Sequence, residues 1–230
     1  MADLIRLIVE KLLEWGIPFT LGLLFRKKVA RFLIITKMYL FNDVITINLF
    51  STRYYTPCGV SEITHKVYRE ISTKIPSVKL LNLFSNGIRI SVPVFGNIRV
   101  FIEKTYTKEM EPIEEAELNE KETIEAIRVT ISPETPIRLG VREIPRLNEF
   151  AQYVEIIFGI LEKHCLEKSE ILQSYTVIES SRIKRFVEEK RYKFEDDELG
   201  TYVHVTPNKV TLTVKASTQI GKAAQKYLLI

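Results

Sequence analysis

Residues 80–103, LLNLFSNGIRISVPVFGNIRVFIE, decide the fold of this chain because they place two turn signals between three apolar segments. Asn86-Gly87 separates the first two segments, and Gly96-Asn97 separates the second from the third. Glycine and asparagine are favoured in two-residue hairpin turns because these turns require positive φ. The stretch therefore predicts a three-stranded antiparallel meander.

Apolar and polar side chains alternate within these predicted strands, which gives each strand one buried face and one exposed face. In the middle strand Ile88 and Arg89 begin the two opposite faces. Pro93 predicts an edge position or a bulge for that strand, because proline cannot donate a ladder hydrogen bond. The same alternation at residues 127–131 and 137–142 predicts two more strands, which brings the meander to about five.

Three other segments carry apolar residues at helical spacing, namely residues 3–15, 60–71 and 146–167. The apolar positions of the third are Leu147, Ala151, Val154, Phe158, Leu161 and Cys165. The order of residues 43–167 is thus strand, helix, antiparallel strands and long helix, an α+β pattern in which helices cover one face of the sheet. In outline this order resembles helix-grip and TATA-binding-protein-like architectures.

The C-terminal part is predicted to contain a helix, a hairpin and a second helix. Residues 180–194 predict the first helix, and YVHV and KVTLTVK predict the hairpin around Thr206-Pro207-Asn208. The pattern leaves the type of ILQSYTVI, residues 171–178, open. We expect either an α+β domain over residues 1–167 with a smaller subdomain over residues 168–230, or a single domain.

Charge is distributed unevenly, although the formal net charge is only +4. Residues 1–75 hold 11 basic and 6 acidic groups, whereas residues 104–125 hold 3 basic and 8 acidic groups. Residues 200–230 hold 4 basic groups and no acidic group. Such asymmetry bears on the partners of a protein more than on its fold.

The composition indicates where the protein works. Cys58 and Cys165 are far apart and do not form a disulfide framework, which predicts a reducing, cytoplasmic setting. Abundant Ile, Glu and Lys are typical of a thermophilic source. Residues 17–41 are apolar and basic, and charges interrupt the run before it could span a bilayer. Peripheral membrane contact through this segment is an alternative.

Arginines recur on the polar phase of the predicted strands and form the first candidate site. They are Arg89, Arg99, Arg128, Arg138 and Arg142. If the strands are neighbours, these guanidinium groups gather on one surface, where they could bind phosphates while Phe101 and Tyr106 stack on bases. The competing interpretation is that the arginines only solvate an exposed sheet face.

The second candidate site is the basic helix predicted over residues 180–194. Arg182 and Arg185 on this helix, followed by Lys209 in the hairpin, have the order of a winged helix-turn-helix. Glu188 and Glu189 follow at i,i+4 spacing and favour ordinary surface ion pairs instead. A mainly structural helix is therefore the favoured interpretation.

No segment carries a pattern of catalytic, metal-binding or cofactor-binding residues. The three histidines fall in different predicted elements, and no glycine-rich phosphate loop occurs. The Glu-rich residues 109–122 are expected to be a solvated connection, or a segment that competes with anionic ligands for the arginines. We expect no metal and no cofactor.

The leading hypothesis is a non-enzymatic protein that binds nucleic acid or a nucleoprotein complex through basic surface. One alternative is a small-molecule or protein-interaction module with an apolar pocket. A second is the peripheral membrane protein already described, and an enzyme of unrecognised type also stays open.

Overall fold

The computed structural model describes residues 36, 40, 43–57, 65–93, 95–108, 123–164, 166, 169–181 and 193–229. The helix predicted over residues 3–15, the membrane-contact segment 17–41 apart from its two isolated residues, and the Glu-rich residues 109–122 lie outside this part. Most of the basic helix predicted over 180–194 lies outside it as well.

Ten strands and three α-helices make up the described part of the chain. The strands are β1 Val44–Tyr55, β2 Lys79–Phe84, β3 Gly87–Val92, β4 Gly96–Lys108, β5 Thr123–Pro133, β6 Ile137–Gly140, β7 Ile171–Ser180, β8 Lys193–Asp196, β9 Thr201–Val205 and β10 Val210–Val214. The helices are α1 His65–Lys74, α2 Leu147–His164 and α3 Ile220–Leu228, and 3₁₀ turns occupy Val141–Arg146 and Ser217–Gln219.

All ten strands join one antiparallel sheet in the order β2-β3-β4-β5-β1-β7-β10-β9-β8, and β6 also pairs with β1. The α+β class and the antiparallel sheet are confirmed, but the prediction of about five strands is wrong. The sheet is larger because β1 and the β9–β10 hairpin, both predicted outside the meander, belong to it. β7 pairs with β1 over Ile47–Tyr55 and with β10, and β8 pairs with β9.

The C-terminal helix–hairpin–helix is not confirmed, because the strands in this part belong to the same sheet as the meander. ILQSYTVI lies in β7, and residues 193–196 form β8. The predicted hairpin exists as β9 and β10, followed by α3. The sheet thus continues across residue 168, and the proposed subdomain boundary there stays a prediction.

The two turn signals act through different physical effects. Gly96 has a φ of 67°, in the left-handed region that glycine favours. Gly87 is instead the first residue of β3, and a Cβ there would lie 2.2 Å from the Val100 carbonyl oxygen. The β2–β3 hairpin therefore needs Gly87 for close approach of the neighbouring strand. Pro93 follows the last residue of β3, which is an interior strand.

The strand predicted over residues 137–142 ends earlier than expected, at Gly140. Residues Val141–Arg146 form a 3₁₀ turn that leads into α2, so Arg142 is not a strand residue. The Glu143 carboxylate accepts a hydrogen bond of 2.9 Å from the Gly140 backbone N–H and fixes this change of direction.

The three described helices pack on one face of the sheet, and none of them lies on the other face. Ile45, Ile47 and Leu49 of β1 point into the covered face and are buried. The apolar stripe predicted for α2 is buried from Leu147 to Leu161 and packs there, which confirms the long helix. Alternation along each strand sends the intervening side chains to the opposite face.

Arg53 of β1 is the one strand arginine of the described residues that points toward α2. Its guanidinium donates hydrogen bonds to Glu155 and Glu162 and lies 4.3 Å from the centre of the Phe158 ring. The side chain is only 12% exposed. Burial lowers the pKa of this guanidinium, but the hydrogen bond and charge of Glu155 outweigh burial and keep it above its ordinary value.

We expect Arg53→Ala to lower the free energy of unfolding by about 2 kcal/mol. Breaking a fully buried ion pair costs about 3–5 kcal/mol, and solvent reduces that cost here because Glu155 is partly exposed. Chemical denaturation measures the change. Arg138→Ala, at an exposed strand position, is the control and should stay within about 0.5 kcal/mol of the parent protein. Equal effects of the two substitutions would contradict this role of Arg53.

Glu70 of α1 joins that helix to the end of α2. His164 hydrogen-bonds its carboxylate, and the Lys163 ammonium donates to both carboxylate oxygens at 3.1 and 3.2 Å. The hydrogen bonds from His164 and Lys163 lower the pKa of Glu70 to about 2. A depressed carboxyl pKa means that the stabilisation is present above the unfolded-state pKa and is lost as pH falls.

The Glu70 contribution should therefore be complete above about pH 4.5 and decline as pH falls toward about 2. We expect Glu70→Gln to destabilise the protein more at pH 5.5 than at pH 3. Urea unfolding of both proteins at the two pH values tests this. A destabilisation that is equal at both pH values would show that the charge of Glu70 does not contribute.

Candidate nucleic-acid interface on the open sheet face

The side chains that alternate with the core residues form one surface, which we call the open face. Its central members are Phe50, Thr52, Tyr54, Phe101, Arg128, Thr130, Tyr175, Val177, Tyr202, Thr211 and Thr213. These residues come from β1, β4, β5, β7, β9 and β10, which the sheet order places side by side. The open face therefore combines β1, β4 and β5 with β7, β9 and β10, which come later in the sequence.

Four of the predicted arginines lie on strands of this sheet with the expected phase. Arg89 of β3 is opposite Arg99 of β4, Arg128 lies on β5, and exposed Arg138 of β6 is opposite Thr46. The remaining predicted site residues lie elsewhere. Arg142 is exposed on the 3₁₀ turn, Lys209 lies in the β9–β10 turn, and Arg182 and Arg185 fall outside the described residues.

Carboxylates bind most of these cations. Glu134, between β5 and β6, accepts hydrogen bonds from Arg89 at 2.5 Å and from Arg99 at 3.2 Å. Glu103 of β4 binds Arg128 across the strand pair. Lys209 donates to Glu179 at 2.7 Å. The open face thus carries a modest excess of positive charge rather than a row of unpaired guanidinium groups.

Glu134 holds its two arginines in a fixed position. Partial burial raises the pKa of the Glu134 carboxyl, but hydrogen bonds from Arg89, Asn97 and Arg99 outweigh this effect, and the pKa lies below its ordinary value. Glu134 is consequently ionised at neutral pH. The strand arginines were predicted from alternation, but Glu134 lies in a turn, where alternation carries no information about its direction.

One cavity on the open face is the arginine groove, with a volume of about 420 Å³. It is lined by Phe50, Thr52, Arg99, Phe101, Glu103, Arg128, Thr130, Ser132 and Tyr175. The groove brings Arg99 and Arg128 together with Phe101, as the sequence predicts, whereas Arg89 and Arg138 do not line it. The side chain of Tyr106 lies outside the described part of the structure.

The second cavity is the aromatic groove, with a volume of about 610 Å³. It is lined by Phe50, Tyr54, Gln173, Ser174, Tyr175, Val177, Glu179, Glu195, Tyr202, Thr211, Thr213 and Lys215. Sequence reasoning missed its four aromatic side chains. The available signal was that Phe50, Tyr54 and Tyr202 occupy the polar phase of their strands, where a solvated face has no need of large rings.

The two grooves meet at Phe50 and Tyr175, which line both of them. Tyr54 is opposite Arg128 in the pairing of β1 with β5, and Thr52 is opposite Tyr175 in the pairing of β1 with β7. Burial and the hydrogen bond with Tyr54 raise the pKa of the Tyr175 phenol above its ordinary value. Tyr175 therefore stays neutral at physiological pH. The Tyr54 and Tyr175 ring centres are 6.3 Å apart.

No protein family, curated protein or solved structure matches this chain. Within the described residues, no group of three or more His, Cys, Asp or Glu side chains is placed to hold a metal ion. The same residues contain no helix of the length and hydrophobicity needed to cross a membrane. The interpretation of the open face depends on its own geometry.

Because Glu134 occupies two arginines, Glu134→Gln should strengthen binding to polyanions. We expect the variant to elute from a heparin column at higher salt than the parent protein, since Arg89 and Arg99 lose their fixed counter-charge. Glu149→Gln makes the same change of net charge on the partly exposed first turn of α2 and is the matched control. Equal elution shifts would show that only net charge matters.

Proposed function

We propose that the open face binds a single strand of nucleic acid. The observation that carries the proposal is the set of half-buried aromatic rings beside Arg99 and Arg128: Phe50, Tyr54, Phe101, Tyr175 and Tyr202. Aromatic rings on an open sheet provide stacking surfaces for bases, and neighbouring guanidinium groups bind phosphates.

A single strand fits this surface better than a duplex, because stacking on a protein ring requires an unstacked base. The rings lie within grooves and do not project from the surface as wedges, as their partial burial shows. Hydroxyls of Thr130, Thr211 and Thr213 lie between the rings and supply hydrogen-bond partners for base edges or sugars.

The ion pairs of the arginines are compatible with this role. A guanidinium has five N–H donors, and Glu103 and Glu134 use only part of this capacity on Arg128 and Arg99. The carboxylates also keep the guanidinium groups ordered before a ligand arrives. They reduce the positive field, so stacking should contribute more to the affinity than phosphate contacts do.

The aromatic groove supports a second candidate function, the binding of a small planar ligand. A volume of about 610 Å³ lies within the range of small-molecule sites, about 300–1,000 Å³, and four rings line it. This ligand would fill the groove without extending to Arg99. Native mass spectrometry of the purified protein would detect such a ligand if it copurifies.

Fluorescence anisotropy with labelled single-stranded RNA, single-stranded DNA and duplex DNA tests the leading proposal. We expect the single strands to bind more tightly than the duplex and with shallow salt dependence. In Arg99→Glu/Arg128→Glu, affinity should fall and the slope of log affinity against log salt should decrease by roughly 1 per lost phosphate contact. Arg146→Glu/Lys222→Glu, on the turn before α2 and on α3, makes the same change of net charge away from the open face and is the matched control.

The two variants separate a local role from a general effect of charge. Loss of binding in the open-face variant alone would support the proposal. Equal losses in both variants would indicate non-specific attraction to a basic protein. No binding to any strand at low salt would refute the proposal and leave the small planar ligand as the candidate.

A further inference from the structure

The sheet contains a local two-fold relation that the sequence does not reveal. β1 and β7 lie side by side and antiparallel, with Ser51 opposite Thr176. β5 lies beside β1 as β10 lies beside β7. On the outer side of β5 lies β4, and on the outer side of β10 lies β9. An axis perpendicular to the sheet between Ser51 and Thr176 therefore relates one set of three strands to the other.

The strand registers fix which residues correspond. Ser51 is opposite Ile131 and Thr176 is opposite Val214, while Phe101 is opposite Thr130 and Tyr202 is opposite Thr213. The corresponding pairs on the open face are Phe50 with Tyr175, Phe101 with Tyr202, and Thr130 with Thr213. Aromatic rings thus recur at equivalent places in both halves.

The two grooves are the two halves of this arrangement. The arginine groove contains the outer ring Phe101 and Thr130, the aromatic groove contains the outer ring Tyr202 and Thr213, and both contain Phe50 and Tyr175. Phe101 lies three strand spacings across the sheet from Tyr175, and Tyr202 lies three strand spacings from Phe50. Each separation is about 14 Å.

The halves differ in charge at equivalent positions. Arg128 corresponds to Thr211, and Glu103 corresponds to His204. Arg99 lines the arginine groove. The residue that corresponds to Arg99 in the other half is Gly200, which has no side chain. The rings are thus duplicated, whereas the guanidinium groups belong to one half only.

We infer that the open face holds two stacking half-sites that one nucleic-acid strand occupies together, with its phosphate contacts concentrated in the arginine groove. The inference rests on the proposed function and specifies its ligand. The ligand is a single strand long enough to reach from Phe101 to Tyr202 across six strands, a distance of about 24 Å.

The experiment compares Phe101→Ala and Tyr202→Ala in anisotropy titrations with single strands of about 4, 8 and 12 nucleotides. With the longest strand, we expect each substitution to weaken binding by about 5- to 150-fold, the range for loss of one stacked base. Tyr202→Ala should leave the salt slope unchanged, because its half lacks the arginines. Phe101→Tyr and Tyr202→Phe retain the rings and should retain affinity, which separates stacking from general damage to the fold.

Three outcomes are distinguishable. Losses from both alanine variants on the longest strand support the inference. A loss from Phe101→Ala with no change from Tyr202→Ala would overturn it, because the strand would then use one half-site, and the proposed function would stand. Failure of the parent protein to bind any of these strands would refute the proposed function and this inference with it.

Discussion

Pairing of β1 with β7 is the interaction on which the rest of the structure depends. These strands are paired from Ile47 to Tyr55 of β1, and on its other side β1 pairs with β5 and β6. Without this contact the meander and the C-terminal strands would form two small sheets, each with an additional exposed edge. At its centre the Ser51 and Thr176 hydroxyls lie 2.5 Å apart and satisfy each other on the covered face.

The same pairing produces the candidate site. Phe50 and Tyr175 lie on the two central strands, and both line the arginine groove and the aromatic groove. Because α1, α2 and α3 pack on the opposite face, the rings stay accessible although they are apolar. An open sheet face without a binding role would be expected to carry small polar side chains at these central positions. The surface instead carries five half-buried aromatic rings, and the proposed function rests on them.

Electrostatics have a supporting role on this face. Each arginine that lines the arginine groove has a carboxylate partner of its own on this face, Glu134 for Arg99 and Glu103 for Arg128, and exposed ion pairs of this kind contribute little to stability. Their more important effect is to orient guanidinium groups while lowering the local positive field. Arg53 illustrates the other face, where partial burial among Glu155, Glu162 and Phe158 makes a similar ion pair part of the packing between sheet and helix.

The sequence alone determined what depends on near neighbours in the chain. Alternation identified β3 and β4 and the outward phase of Arg89 and Arg99, and helical spacing identified α2. Gly96 marked its turn through its positive φ. Such features follow from backbone sterics and local hydrophobic periodicity, which any short window of sequence contains.

Only the tertiary structure decided the β1–β7 pairing, the position of Glu134 between two arginines, and the collection of aromatic rings in two grooves. Phe50 and Tyr175 are separated by 124 intervening residues, and nothing local specifies that their strands meet. The two-fold relation is hidden for a similar reason, because pairs such as Arg128 with Thr211 share a place in the sheet but no chemistry. Strand pairing depends on which distant faces bury each other, and that is settled only when the whole core forms.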